Sequence, residues 1–121
     1  MVTLDTVRAL ALALPEAHER PCYGTPAFYV RRGLFARMLE DGASIVVKVD
    51  LGEREALVQT DPETFVVTDH YRDYPMVVVR LGAVDQEELE ELLTEAWRRT
   101  ASKRLLVDYD AGHPPPARPE R

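Results

Sequence analysis

The chain has 121 residues, of which 45% are hydrophobic and 30% charged, and its formal net charge is −6. This length suits one domain with a single core, and a lone cysteine excludes an internal disulfide, as is typical of the reducing cytoplasm. The negative charge argues against a protein that binds nucleic acid by electrostatic attraction alone, and no apolar run is long enough to cross a membrane.

The first predicted element is a helix over residues 3–14. Apolar side chains recur there at intervals of three and four residues, and Thr3 is placed to cap the helix. Pro15 ends it, because proline has no amide hydrogen to continue the helical hydrogen bonds. Residues 16–22 are mostly polar, and they are predicted to form a connection.

Three strands are predicted over residues 27–31, 34–40 and 44–50. The loops between them are two or three residues long and contain Gly33 and Gly42. Glycine tolerates the positive φ that tight hairpin turns require. The three strands are therefore expected to form an antiparallel meander.

The stretch after the meander predicts a helix over residues 50–58, one helical turn over 62–65, and a short strand or an extended loop over 65–68. Asp50 is a suitable N-cap, and Glu53 lies three residues further on, as a capping box requires. Asp61 is followed by a proline, and that order is typical of the start of a helical turn.

The second half of the chain predicts an aromatic loop over residues 70–75, a strand over 76–81, a long helix that begins at Asp85, and a helical piece over 103–109. Glu88 lies three residues after Asp85, so a second capping box is expected. The long helix has one apolar stripe, formed by Leu89, Leu92, Leu93, Ala96 and Trp97.

These elements predict an α+β domain. Its antiparallel sheet consists of the three-stranded meander and at least one more strand, and helices are expected to cover one face. Residues 1–110 form this single domain in the prediction. Residues 111–121 contain four of the nine prolines and no apolar pattern, so a disordered tail is expected there.

Strand alternation brings basic side chains to the face that the helices leave open. Six acidic residues fall between positions 85 and 95, so the rest of the chain is formally neutral and a local basic surface fits the composition. Successive side chains of a strand point to opposite sides, and one face is predicted to carry Tyr29, Arg31, Arg37, Lys48 and Arg80, with Phe35 nearby. Such a face suits contacts to phosphates and stacked bases, although long basic side chains are also common on any solvated sheet face.

Other candidate sites have simpler structural explanations beside the functional ones. The bases at the end of the long helix, Arg98, Arg99, Lys103 and Arg104, could bind phosphate, or they could simply complement the helix dipole. His70 could act as a general base with a neighbouring aspartate, or its ring could pack the loop onto the sheet. No catalytic residue, metal ligand set or cofactor motif is predicted.

The residues resemble a known family. An ordered set of short motifs carries the resemblance: Tyr23-Gly24-Thr25-Pro26-Ala27-Phe28, Leu34-Phe35-Ala36-Arg37, Val47-Lys48-Val49-Asp50, Asp61-Pro62, His70-Tyr71, Tyr74-Pro75 and Trp97. The set resembles the MmcQ/YjbR family of small bacterial proteins. The resemblance implies an α+β domain of the CyaY-like, frataxin-like kind, which is also likened to a double-wing DNA-binding domain. Members of the family are commonly labelled DNA-binding.

The sequence and the resemblance together predict a cytoplasmic, monomeric binding module without enzymatic activity or a cofactor. DNA is the first expected partner, with Arg31, Arg37, Lys48 and Arg80 on phosphates and Tyr29 stacking on a base. A regulatory module that binds another protein is the alternative. A third hypothesis is a small-ligand binder or enzyme in which Tyr23, His70 and Tyr71 converge on a pocket.

Overall fold

The computed structural model describes residues 2–112. The elements in chain order are α1 Leu4–Leu12, β1 Ala17–Cys22, β2 Thr25–Val30, β3 Gly33–Met38, β4 Ser44–Lys48, α2 Leu51–Thr60, β5 Phe65–Val66, β6 Met76–Arg80, α3 Gln86–Thr100 and α4 Lys103–Gly112. A short 3-10 helix, Asp69–Tyr71, precedes β6. The six strands form one antiparallel sheet in the order β1-β2-β3-β4-β6-β5. The predicted α+β fold is confirmed.

The meander has one strand more than predicted, because residues 17–22 are β1 and not a connection. This strand forms the edge of the sheet, and it pairs with β2 from Ala17 opposite Val30 to Cys22 opposite Thr25. Its residues show no apolar alternation, since an edge strand can be half solvated on both sides. Pro21 is tolerated there because a proline on an edge strand removes no essential ladder bond.

The β2–β3 turn differs from its prediction. Gly33 was expected in the turn, but it is the first residue of β3, and Arg31 has the positive φ of 56°. The absence of a side chain at Gly33 has another reason. A Cβ atom built at this position would lie 2.3 Å from Cγ2 of Thr100, so α3 can approach β3 only at a glycine.

A β-bulge in β3 changes the direction of Phe35. Phe28 pairs with Ala36, but the next residue, Tyr29, pairs with Leu34, so Phe35 is an extra residue. Phe35 therefore lies in the core, although simple alternation placed it on the open face beside Arg37.

The core lies between one sheet face, termed the inner face, and helices α1, α3 and α4. Its largest fully buried side chains include Trp97, Phe28, Phe35, Ile45 and Leu89. The Nε1 atom of Trp97 donates a hydrogen bond to the carbonyl of Pro15 at 3.0 Å, which joins α3 to the end of α1. The predicted apolar stripe of α3 is buried throughout.

The helix starts agree with two of the three predicted caps. The Thr3 side chain accepts a hydrogen bond from the Thr6 amide, and that of Asp50 accepts bonds from the amides of Gly52 and Glu53. Asp85 occupies the N-cap position of α3, but its side chain makes no capping hydrogen bond, so the second capping box is not formed. Helix α4 extends to Gly112, and residues 113–121 of the predicted tail lie outside the described residues.

Candidate functional site

The sheet face opposite the helices is termed the outer face, and on β4 and β6 it carries both polar and apolar side chains. Register along β4 and β6 pairs Ser44 with Arg80, Val46 with Val78, and Lys48 with Met76. These six residues share one face because every second residue of a strand points the same way.

The centre of the outer face is covered. Residues 68–75, termed the aromatic loop, run over it and contribute Tyr71, which packs with Leu39 against buried Val46, Met76 and Val78. The outer face therefore has a small apolar centre of its own. The sequence predicts an open, solvated face, but only the margins of this face are open.

One arginine of α2 holds the aromatic loop by its backbone. Nη1 of Arg54 donates to the carbonyls of Tyr71 at 3.2 Å, Tyr74 at 2.8 Å and Met76 at 3.2 Å, and Nη2 donates to the carbonyl of Arg72 at 3.1 Å. A guanidinium has five donors in a rigid plane, which suits such a set of acceptors. This clamp was not predicted from the sequence, because a partly buried arginine on a short helix has no local pattern that reveals its partners.

Arg37 holds the opposite side of the aromatic loop. Its side chain is 6% exposed, and its Nε donates to the Cys22 carbonyl at 3.1 Å, its Nη1 to the Tyr71 hydroxyl at 2.9 Å and its Nη2 to the Glu40 carboxylate at 2.6 Å. Burial by itself lowers the pKa of Arg37, but the hydrogen bonds to Glu40 and Tyr71 outweigh it, so the pKa is raised and the charge is retained.

An open cleft lies beside these contacts, between the β1–β2 turn and the aromatic loop, with a volume of about 530 Å³. Its lining consists of Cys22, Tyr23, Leu34, Arg37, Lys48, His70, Tyr71, Tyr74, Pro75 and Met76. This lining contains two basic side chains and no carboxylate. An adjoining depression shares Tyr23, Arg37, His70 and Tyr71 with it and includes Glu40. We call the first of the two the aromatic cleft.

The rings of the aromatic cleft lie close to one another. The Arg37 guanidinium carbon lies 5.3 Å from the ring centre of Tyr23, within the range of a cation–π contact. The ring centre of His70 lies 4.6 Å from that of Tyr71, nearly edge-on, and 6.5 Å from that of Tyr74. The convergence of Tyr23, His70 and Tyr71 that the third hypothesis requires is therefore present.

Tyr29 forms a second aromatic group on the outer face, next to the cleft. Its ring stacks on His18 at 5.8 Å between ring centres, and the guanidinium carbon of Arg20 lies 4.2 Å above it. Burial raises the pKa of Tyr29, and a hydrogen bond with the Cys22 side chain raises it further. Arg20 is not among the predicted residues, because it lies in residues 16–22, for which the sequence predicts a connection.

The five predicted binding residues do not form one basic surface. Tyr29, Lys48 and Arg80 lie on the outer face as predicted, but Lys48 and Arg80 are at opposite ends of the β4–β6 pair, about 13 Å apart for four residues of strand. Arg37 is buried and already hydrogen-bonded. Arg31 lies in the β2–β3 turn, where its Nε contacts the Glu16 carboxylate at 3.2 Å, because the positive φ takes it out of the strand alternation.

The C-terminal basic cluster is partly neutralised. Nη1 of Arg98 contacts the Asp110 carboxylate at 2.8 Å, which ties α3 to α4. This hydrogen bond raises the pKa of Arg98. Arg99, Lys103 and Arg104 are exposed on the helical side of the molecule, away from the aromatic cleft.

The described residues contain neither a metal-ligand cluster nor a membrane-spanning helix. Among residues 2–112, no three His, Cys, Asp or Glu side chains are grouped so that they could hold a metal ion. Within the same residues, no helix has both the length and the apolar character that crossing a membrane requires.

The fold and the cleft define a class of small α+β domains with a six-stranded antiparallel sheet, a helical layer on one face and an aromatic cleft on the other. The YjbR family model matches residues 12–99. The chain belongs to the YjbR family, so the family resemblance noted from the motifs is confirmed.

One solved structure and two curated proteins are similar to this chain. The crystal structure of Deinococcus radiodurans protein DR2400, which has the family-model domain DUF419, superimposes with a TM-score of 0.72 at 26% identity, over 89% of this chain and 88% of that one. The uncharacterized proteins Mb2600 of Mycobacterium bovis and Rv2570 of Mycobacterium tuberculosis are 42% identical over 60 residues, which is 50% of this chain. The match covers 46% of each of these relatives, so the chain spans about half the length of the curated relatives it matches.

Most motifs that carried the family resemblance meet at the aromatic cleft. Tyr23 comes from the first motif, Leu34 and Arg37 from the second, Lys48 from the third, and His70-Tyr71 and Tyr74-Pro75 from the aromatic loop. Segments up to about 50 residues apart in sequence are thus brought to one place on the outer face.

Proposed function

We propose that this chain is a binding module that holds a small anionic ligand in the aromatic cleft. The observation that carries the proposal is the lining of that cleft, which has two basic side chains and no carboxylate, in a chain with a formal net charge of −6. A cleft lined by charge of one sign concentrates ions of the other sign. The volume of about 530 Å³ lies within the usual range of small-molecule sites.

The two basic side chains have different parts in this proposal. Arg37 is fixed by three hydrogen bonds and has two further N–H groups without an acceptor among the described residues. Glu40 neutralises one edge of its guanidinium. Lys48 is half-buried and has no ion pair within residues 2–112, so it supplies the charge that an anion would neutralise.

An NMR titration of the full chain with benzoate, acetate and phosphate tests the proposal. We expect the amide signals of the aromatic cleft to shift, and we expect Lys48→Gln to weaken the binding about ten- to a hundredfold, because a hydrogen bond to a charged group is worth about 1.5–3 kcal/mol. The matched control is Lys103→Gln, which removes the same charge from the exposed start of α4 and leaves the affinity unchanged.

Two results would contradict the proposal. One is the absence of shifts in the aromatic cleft with all three anions at millimolar concentrations. The other is an equal affinity of the Lys48→Gln variant and the original chain, since the unpaired charge would then have no part in binding.

DNA binding is the second candidate, and the stacked group around Tyr29 favours it. The ring of Tyr29 has Arg20 above it and His18 beside it, and it lies on the same face as Lys48 and Arg80. Proteins that bind single-stranded nucleic acids combine aromatic side chains and cations in this way. In this candidate, Arg31 and Arg37 would also contact phosphates. Because Arg37 is buried and Arg31 contacts Glu16, Lys48 and Arg80 would carry most of the phosphate contacts.

The same titration with single-stranded and duplex oligonucleotides separates the two candidates. DNA binding would shift the signals of Tyr29 and Arg80 as well as those of the cleft, and its affinity would fall steeply with added salt. If neither oligonucleotide binds at low ionic strength, where phosphate contacts are strongest, the DNA candidate is excluded. A protein partner would instead be recovered in a nuclease-resistant, stoichiometric complex.

A further inference from the structure

We propose that the ligand of the aromatic cleft carries a planar aromatic ring and that Tyr23 stacks on this ring. This inference rests on the proposed function, since it assigns a chemical class to the anion in the same cleft. It starts from two features of Tyr23, namely a bulky side chain at a left-handed turn position and the exposure of its ring.

The backbone of Tyr23 is strained. Tyr23 and Gly24 form the two-residue turn between β1 and β2, with φ values of 52° and 82°. Positive φ at both central positions is the type I′ pattern, in which asparagine, aspartate and glycine are favoured. A bulky side chain in the left-handed region is a local strain. The turn alone would therefore favour a smaller residue at this position.

The side chain of Tyr23 adds nothing to either apolar core. The residue is 85% exposed, whereas an aromatic ring that stabilises a fold is normally buried. It contacts the guanidinium of Arg37, whose central carbon lies 5.3 Å from the centre of the ring. Contact between this ring and a bound molecule would explain why a tyrosine occupies a strained and exposed position at the mouth of the cleft.

The other side of the cleft suits a planar ring as well. His70 and Tyr74 line it from the aromatic loop, and the ring of Tyr74 is itself 56% exposed. A ligand ring that stacks on Tyr23 would face these side chains, and its anionic group would be attracted by Lys48 and Arg37. Aromatic carboxylates and nucleotides share this chemistry of a planar ring and an anionic group.

A matched pair of ligands tests the planar ring. Benzoate and cyclohexanecarboxylate have the same carboxylate and nearly the same size, but only benzoate is flat and aromatic. We expect the full chain to bind benzoate about two- to twelvefold more tightly, the range that corresponds to an aromatic contact of about 0.5–1.5 kcal/mol. Adenosine monophosphate against ribose 5-phosphate is a second pair that tells a nucleotide from an aromatic carboxylate.

Two variants of Tyr23 separate binding from folding. Tyr23→Asn removes the ring and introduces a residue that tolerates the left-handed conformation, so its urea midpoint should be unchanged or higher. We expect this variant to bind benzoate and cyclohexanecarboxylate equally. Tyr23→Phe keeps the ring and should keep the preference for benzoate.

The outcomes distinguish this inference from the proposed function. Equal affinities of benzoate and cyclohexanecarboxylate for the full chain, both reduced by Lys48→Gln, would overturn the planar ring and leave the anion-binding cleft standing. A preference for benzoate that survives in Tyr23→Asn would overturn the role of Tyr23. If no anion shifts the signals of the cleft, the proposed function fails, and this inference fails with it.

Discussion

Two arginines determine the position of the aromatic loop, and they do so by different means. Arg37 contacts the hydroxyl of Tyr71, so it orients a side chain. Arg54 contacts carbonyls between Tyr71 and Met76, so it orients the backbone whatever the side chains are. The loop lacks a long strand or helix of its own, and its geometry therefore depends on these contacts.

The clamp by Arg54 predicts that Arg54→Ala opens the aromatic loop without unfolding the sheet. Four carbonyls lose a charged donor, which we expect to lower the free energy of unfolding by about 1–3 kcal/mol and to speed hydrogen exchange of the amides of Tyr74 and Met76. The control is Arg32→Ala, an exposed arginine of the β2–β3 turn, where a change within about 0.5 kcal/mol is expected. Unchanged exchange rates of Tyr74 and Met76 in Arg54→Ala would contradict the clamp.

Helix α3 approaches strand β3 closely at Gly33. The γ-methyl group of Thr100 occupies the space that a side chain at Gly33 would need. Thr100 cannot turn away easily, because its hydroxyl donates a hydrogen bond to the Ala96 carbonyl at 2.9 Å and its branched side chain has few rotamers.

A double-mutant cycle tests this contact between elements. Gly33→Ala should destabilise the protein by about 1–3 kcal/mol, as overpacking usually does. Thr100→Ser removes the methyl group and keeps the hydroxyl, so in its background most of the destabilisation should disappear. Urea denaturation followed by circular dichroism measures both effects. An equal loss in the two backgrounds would mean that the contact between β3 and α3 is not the cause.

At the scale of the whole molecule, carboxylates on different elements link stability to pH. A hydrogen bond from Arg8 lowers the pKa of Glu19 in β1. In the β3–β4 turn, hydrogen bonds from its own backbone amide and from Arg37 lower the pKa of Glu40, and amide hydrogen bonds led by that of Ala43 lower the pKa of Asp41. Groups of this kind stabilise the fold fully above their unfolded pKa values and lose that contribution as the pH falls through the lower folded values.

The fall in the free energy of unfolding at acid pH should therefore depend on Asp41, whose ordinary pKa is 3.8. Asp41→Asn should lower the stability at neutral pH by about 1 kcal/mol, because it removes the negative charge that strengthens the hydrogen bonds from the amides of Ala43 and Ser44. An amide nitrogen in place of Oδ2 also cannot accept the hydrogen bond from the Ser44 hydroxyl. Below the ordinary pKa, the difference from the original chain should shrink. Urea denaturation at neutral and acidic pH measures this change, with the exposed Glu63→Gln as the charge-matched control. A difference that grows on acidification would contradict the sign.

The sequence correctly predicts those features of secondary structure that depend on residues close together in the chain. The presence of strands β2 to β4, the apolar stripe of α3 and the cap at Asp50 each depend on residues close together in the chain, and all are confirmed. Strand β1 was missed because an edge strand needs no apolar pattern, and Phe35 was placed on the wrong face because one extra residue in a bulge reverses the alternation.

The sequence predicts which residue types the candidate site contains, but it does not predict how they are arranged. The sequence by itself determined the fold class, because helices and strands follow from short-range spacing. It also supplied the aromatic and basic residues in separate motifs, and the order of these motifs carried the resemblance to the family. Only the tertiary structure decided that Tyr23, Arg37, Lys48 and the aromatic loop meet in one cleft, and that Arg37 and Arg31 already have partners. Such contacts join segments distant in the chain, and their register is fixed by packing rather than by any local pattern.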